Sequence, residues 1–224
     1  MASPNFDSLS VQHSKNIGDP VVAATTDGKV WTSAQRSFHL NLACKDWLNA
    51  RMRAAFAIER RGLDAEEQWS AMGSYVQESS STALTGNALA FTALTPNILR
   101  PIALYNVSSS VPIRRLTSQK LRFMTSSGGN SFLTASSTQQ FFTVDASSIR
   151  VLGSGATDNV YVRYVAAHTD LSAGGASDIL VLAPYWGDIL RLAFAIAKRD
   201  VATAEAQQIA IIETKFVTDG INQG

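Results

Sequence analysis

Apolar residues recur at helical spacing near both ends of this chain and at strand spacing through its middle. Ala34, Phe38, Leu42, Ala43, Trp47, Leu48, Met52 and Phe56 follow an i, i+4 pattern, opposite a polar stripe of Lys45, Asn49, Arg53 and Arg60. That spacing predicts a helix from about Ala34 to Arg60, capped by Thr32 or Ser33 and ended by Gly62. Asp64 and Glu67 have capping-box spacing and start a shorter helix to about Tyr75, with Trp69, Met72 and Val76 facing inward. Helical spacing returns at Pro184, with Ile189, Leu190, Ala193, Phe194 and Ala197 on one face. Asp200 then reads as the cap of a separate last helix, from Val201 to about Val217, closed by Gly220.

Between Ser79 and about Thr169 the chain turns rich in Ser, Thr, Val and Phe, with no sustained helical period. Candidate strands are Ala88–Leu94, Ile102–Val107, Val111–Leu116, Phe141–Val144, Ser148–Leu152 and Val160–Ala166. The last alternates Val160, Val162 and Tyr164 against Tyr161, Arg163 and Val165. Gly153, Gly155, Asp158 and Asn159 predict a hairpin turn before it, and residues 125–138 read as a polar loop. Residues 1–30, punctuated by Gly18-Asp19-Pro20 and Asp27-Gly28, read as an extended arm. The end helices bury their faces by packing together, which predicts an α+β fold. Its helical core, residues 31–78 and 180–224, carries an inserted antiparallel β-rich module, residues 79–179.

Composition narrows the function. The chain has 224 residues, enough for one large domain or two small ones. Only 17% of residues are charged against 46% hydrophobic, which suits a protein that covers part of its surface with partners. Nineteen basic and eighteen acidic residues leave a net charge of +1, which argues against phosphate neutralisation as the main activity. The single cysteine, Cys44, excludes an internal disulfide and reads as a small buried hydrophobe. The first residues lack a signal-peptide pattern, and Pro184, Gly187, Asp188 and Arg191 interrupt the longest apolar run. A soluble chain made in the cytoplasm is expected.

Catalytic patterns are sparse. His13, His39 and His168 do not share a metal-binding spacing, and structural positions are expected for all three. His39 stands five residues from Cys44, too far round one helix to activate it. The sequence contains neither GxSxG nor GxxxxGK[ST], and Gly153-Ser154-Gly155 follows a strand without opening a helix. Asp64, Glu66, Glu67 and Asp188 sit where caps and solvated helix faces put carboxylates, rather than as a glycosidase pair. Asn106-Val107-Ser108 fits the glycosylation pattern without a secretory context. Arg114, Arg115, Lys120 and Arg122 form one basic patch, either a solvated strand edge or a surface facing DNA or an acidic partner. No catalytic residue, metal ligand or cofactor is expected.

The order of short motifs resembles the head-to-tail adaptor (connector) proteins of tailed bacteriophages. The residues concerned are Gly18-Asp19-Pro20, then Trp31-Thr32-Ser33-Ala34-Gln35, then Asn41-Leu42-Ala43. Leu94-Thr95-Pro96, Ile113 to Leu116, Val160 to Val165, Ile189 to Ala197 and Asp200 to Lys215 follow in the family's order. The Pro-x-Trp that often follows the basic strand is absent, and the N-terminal arm is longer than in the family. The resemblance implies a virion structural protein with no enzymatic activity: a ring of about twelve subunits below the portal. Such a ring joins the portal to tail or nozzle proteins in the virion neck. It surrounds the channel through which genomic DNA passes without sequence-specific binding, and it touches no membrane. Phe216, Val217 and Ile221 would dock on the portal, and the basic patch would face the channel or a partner. Another self-assembling neck, stopper or tail-tube component is the alternative, followed by a carboxylate hydrolase and a binding module.

Overall fold

A computed structural model of the chain describes residues 5–108, 112–116, 139–153, 158–174 and 183–221, with side chains described up to residue 203. It combines helices with a curled mixed sheet, the α+β class that the sequence predicts. The chain forms two compact units, Met1–Gly73 with His168–Gly224, and Ser74–Ala167.

The first unit is helical. Helix α1 spans Phe6–Asn16, α2 Ser33–Arg60, α3 Glu66–Ala71 and α4 Trp186–Ile221. Helix α4 packs on both α1 and α2. Thr32 caps α2 with a complete capping box: its hydroxyl accepts from Gln35 N–H, and the Gln35 side chain accepts from Thr32 N–H. Gly62, at φ +71°, supplies the left-handed residue after the last turn. Leu40, Ala43, Cys44, Trp47 and Leu48 are buried on α2, as are Ile189, Ala193, Ile196 and Ala197 on α4. The Trp47 ring lies 5.4 Å from that of Tyr185, and the Arg51 guanidinium sits 4.7 Å over Tyr185.

Several expectations change here. The segment expected as an extended arm contains α1, capped by Asn5, whose side chain accepts from Ser8 N–H. Phe6, Leu9, Ser10 and His13 recur at i, i+3, i+4 and i+7 and are buried, so its inner face is half polar. At the start of α2 the buried stripe is turned from the expected one. Ala34 is exposed and Phe38 is 57% exposed, whereas Arg36, His39 and Asn41 are inside. The capping box expected at Asp64 does not form. Asp64 instead accepts from Glu66 N–H in a tight turn, α3 ends at Ala71, and Val76 belongs to a strand. The two expected C-terminal helices are one helix of 36 residues. An aspartate inside a helix costs at most roughly 0.7 kcal/mol relative to alanine, so Asp200 alone does not break it. Its carboxylate is used elsewhere.

The second unit is the sheet. Its strands are β1 Val76–Glu78, β2 Thr82–Ala83, β3 Ala88–Ala90, β4 Ile98–Asn106, β5 Pro112–Arg115, β6 Phe141–Val144, β7 Ser148–Leu152 and β8 Asn159–Ala166. The order is β1-β8-β4-β5-β6-β7-β3, with β2 also on β8. Every pairing is antiparallel except β5 with β6, so the module is mixed rather than antiparallel. The alternation in β8 works as read: Val160, Val162 and Tyr164 are buried in one core with Leu104, Ile113 and Phe142. Val165, on the other face, is buried as well.

The turn expected as a β7–β8 hairpin does not join paired strands. Strand β7 lies between β6 and β3, whereas β8 pairs with β4 from Ile98↔Ala166 to Asn106↔Val160. The pairing with β4 runs the length of β8, through two register shifts, and buries Ile98 and Leu104 in one core with Val160 and Val162. The loop 125–138 lies outside the described residues.

Candidate functional site

Among the described residues, the densest set of interacting polar side chains lies inside the helical unit, and it begins with one aspartate. Gly18, at φ +76°, ends the turn after α1 and delivers Asp19 into the fold. The Asp19 carboxylate accepts from the backbone N–H groups of Lys29 at 2.8 Å, Val30 at 3.0 Å and Trp31 at 2.9 Å. Those donors, Trp31 N–H foremost, favour the ionised carboxylate and hold its pKa below the ordinary carboxylate range. Gly28 makes room for it: a Cβ there would stand 2.0 Å from Asp19 Oδ2. Asp27 Oδ1 accepts from Ser33 N–H at 2.7 Å, so the loop leads directly into the Thr32 cap.

Arg36, one turn into α2, is fully buried. Its guanidinium donates to the carbonyls of Trp31 at 2.8 Å and Ala24 at 3.1 Å, and also to that of Thr26. Asp19 thus collects the N–H groups of the loop and Arg36 its carbonyls. Two opposite charges act as the two halves of one backbone clamp.

Next to the clamp runs a chain of rings. His13 Nε2 stands 3.4 Å from His39 Nδ1, and His39 Nε2 stands 3.2 Å from Asp200 Oδ2. Burial lowers the basicity of both rings. His13 is brought down to about 4, helped by the positive charge of Arg36 and by His39. Asp200 opposes the effect at His39 without cancelling it. A carboxylate only accepts, so His39 carries its hydrogen on Nε2 and accepts at Nδ1 from His13 Nε2–H. The Trp31 ring packs edge-on against His39 with centroids 4.8 Å apart.

Asn41 makes a third junction. Its amide donates to Leu171 O at 2.8 Å, and its oxygen accepts from Leu171 N–H at 3.0 Å. His168 Nε2 lies 3.0 Å from the same oxygen, with its basicity lowered by burial. This pins the segment after β8 to α2.

The readings of single residues fare unevenly. Cys44 is buried and its thiol is pushed up to about 12 by desolvation, as a small hydrophobe would be. His39, for which a structural position is expected, is 1% exposed and links α1 to α4. Arg114 and Arg115 are exposed on β5, and β5 lies between β4 and β6, so it is not the edge strand that the basic patch suggested. Lys120 and Arg122 lie outside the described residues. Phe216, Val217 and Ile221 fall on the backbone of α4, but their side chains lie outside the described residues. Among the described residues, no group of three or more His, Cys, Asp or Glu is placed to hold a metal ion. No described helix is long and apolar enough to cross a membrane.

Arg36, His13 and Asp200 escaped sequence reasoning. For His13 a signal exists: it stands at i+7 from Phe6 and i+4 from Leu9, on a face that Asn5 caps. For the His39–Asp200 contact, 161 residues apart, one sequence carries none. No family model matches the chain, and no curated protein matches it.

Proposed function

We propose that this chain is a virion structural protein: a head-to-tail adaptor whose subunits close into a ring between portal and tail, around the channel for the genome. In this reading the N- and C-terminal helices form the subunit core and the β-rich module is an insertion into it. The ring has about twelve subunits, held by shape and burial between neighbours rather than by chemistry. Genomic DNA passes without sequence-specific contacts, which suits the near-zero net charge.

The observation that carries the reading is the use made of the residues behind the resemblance. Asp19, Trp31, Thr32 and Asn41 are spent on backbone and side-chain hydrogen bonds inside one helical unit. Motif positions that fix a scaffold suit a subunit whose work is assembly. Phe216, Val217 and Ile221 are the proposed portal contacts at the far end of α4.

The test is the mass of the purified protein in solution, alone and mixed with the portal of the same virus. Closure into a ring of about twelve on the portal supports the adaptor. A monomer indifferent to the portal overturns it and favours another neck, stopper or tail-tube role. Deleting residues 216–224 is expected to abolish portal binding while the far-UV spectrum still reports a folded chain. Normal binding by that truncation removes the docking assignment.

A further inference from the structure

We propose that the His13–His39–Asp200 chain is an acid-sensitive latch, which holds α1 on α2 and α4 near neutral pH and loosens that hold in acid. Each member comes from a different helix: His13 from α1, His39 from α2 and Asp200 from α4. His13 is fully buried and His39 is 1% exposed. Phe6 and Leu9 share the inner face of α1, and Asp7 Oδ1 accepts from Gly174 N–H at 2.9 Å.

The latch follows from hydrogen counting. In the neutral chain His39 Nε2–H meets Asp200, His13 Nε2–H meets His39 Nδ1, and His13 Nδ1 is a bare acceptor without a partner among the described residues. With the Asp200 carboxylate still ionised, one added proton leaves two arrangements that keep both contacts. Either His13 holds both hydrogens, or His39 holds both and His13 must accept at Nε2 and carry its hydrogen on Nδ1. In both, Nδ1 of His13 becomes a buried N–H with no protein acceptor, and the chain has gained a positive charge. Arg36 on α2 adds its positive charge at His13, Asp19 in the loop after α1 faces Arg36, and Asp200, beside Arg199 on α4, acts on His39. Arg199 Nε lies 4.0 Å from Asp200 Oδ1, so the carboxylate is already shared. On α1 itself stand Asp7, engaged with Gly174, and Lys15 in the last turn. Releasing α1 gives His13 water as a partner.

The sign is fixed by His13. Its folded value of about 4 lies below the ordinary 6.5, so docking is fully favoured above pH 6.5 and weakens as pH falls towards 4. Linkage over that interval makes release about thirty-fold more favourable at pH 5.0 than at pH 7.5.

Hydrogen exchange by mass spectrometry on the full chain at pH 7.5 and 5.0, corrected for intrinsic rates, reads this directly. The expected result is an opening equilibrium for residues 6–16 that rises about thirty-fold at pH 5.0, with residues 141–152 still protected. His13→Met and His13→Gln are expected to flatten the response. Unchanged protection of residues 6–16, parallel opening of residues 141–152, or an unaltered response in a folded variant overturns the latch. If neither variant folds, the two regions of the wild-type chain still decide it.

Discussion

Replacing Arg36 with Met keeps most of the side-chain stem and removes the guanidinium. The carbonyls of Trp31, Ala24 and Thr26 then lose their shared donor inside the fold. Hydrogen bonds to a charged group contribute roughly 1.5–3 kcal/mol each, so three of them suggest a gross loss well above 4 kcal/mol. Removing a buried charge offsets part of that, because the guanidinium no longer has to be desolvated. Asp19 works against the offset, because it keeps its charge beside a vanished neighbour. A net loss of about 3–4 kcal/mol results, a large fraction of the ~5–15 kcal/mol typical of a domain. In urea the midpoint should fall by more than about 1 M, since slopes are roughly 1–3 kcal/mol/M. Arg36→Lys should recover only part of the loss, because one ammonium cannot span three carbonyls as a planar fork does. Amides of Lys29, Val30 and Trp31 should be the first to lose exchange protection, because the clamp holds the two faces of one loop. An Arg36→Met protein within about 0.5 kcal/mol of wild type would refute the clamp.

Asn41→Leu removes two bonds to Leu171 and one contact with His168, and should cost about 2–3 kcal/mol in chemical denaturation. Gly28→Ala puts a methyl group where the Asp19 carboxylate sits, so the melting temperature should fall by at least about 5 °C. An unchanged melting curve would mean that the carboxylate has room to move without loss. Lys45→Ala breaks the 2.7 Å ion pair with Asp170, whose partners are 42% and 63% exposed, and should change stability by less than about 0.5 kcal/mol.

Where the sequence was legible, one local signal decided the outcome. Thr32, one of two cap candidates, set the start of α2, Gly62 set its end, and Phe141–Val144 and Ser148–Leu152 have the predicted bounds. It misled where a local signal competed with a distant partner. Asp200 looks like a cap until His39 takes its carboxylate, and the glycines before β8 look like a hairpin until β4 takes that strand. Helix α1 was hidden because two of its four leading inward positions are Ser10 and His13, which a hydrophobicity pattern scores as polar. Strands β1 and β2 span three and two residues, too short for any period. The site divides the same way. Asp19, Trp31 and Asn41 stood out in the motifs, but their partners Arg36, Leu171 and His168 come from the fold.

Under the proposed ring assembly, this placement decides how assembly variants are to be interpreted. Asp19, Arg36 and Asn41 are buried, and each fixes backbone from a second segment. Changing any of them perturbs the subunit before it perturbs a neighbour. Lost ring formation in such a variant therefore says nothing about an interface until its free subunit is found to unfold at the wild-type midpoint. Exposed apolar residues behave oppositely. Phe38 is 57% exposed, with its ring centroid 6.2 Å from that of His39, so Phe38→Ser should leave the unfolding free energy within about 0.5 kcal/mol of wild type. A stable Phe38→Ser subunit that fails to assemble would locate a contact, whereas failure of Asn41→Leu would only report a weakened scaffold. Buried polar pins fix the shape of the subunit, and exposed apolar positions are where partner energy is to be measured.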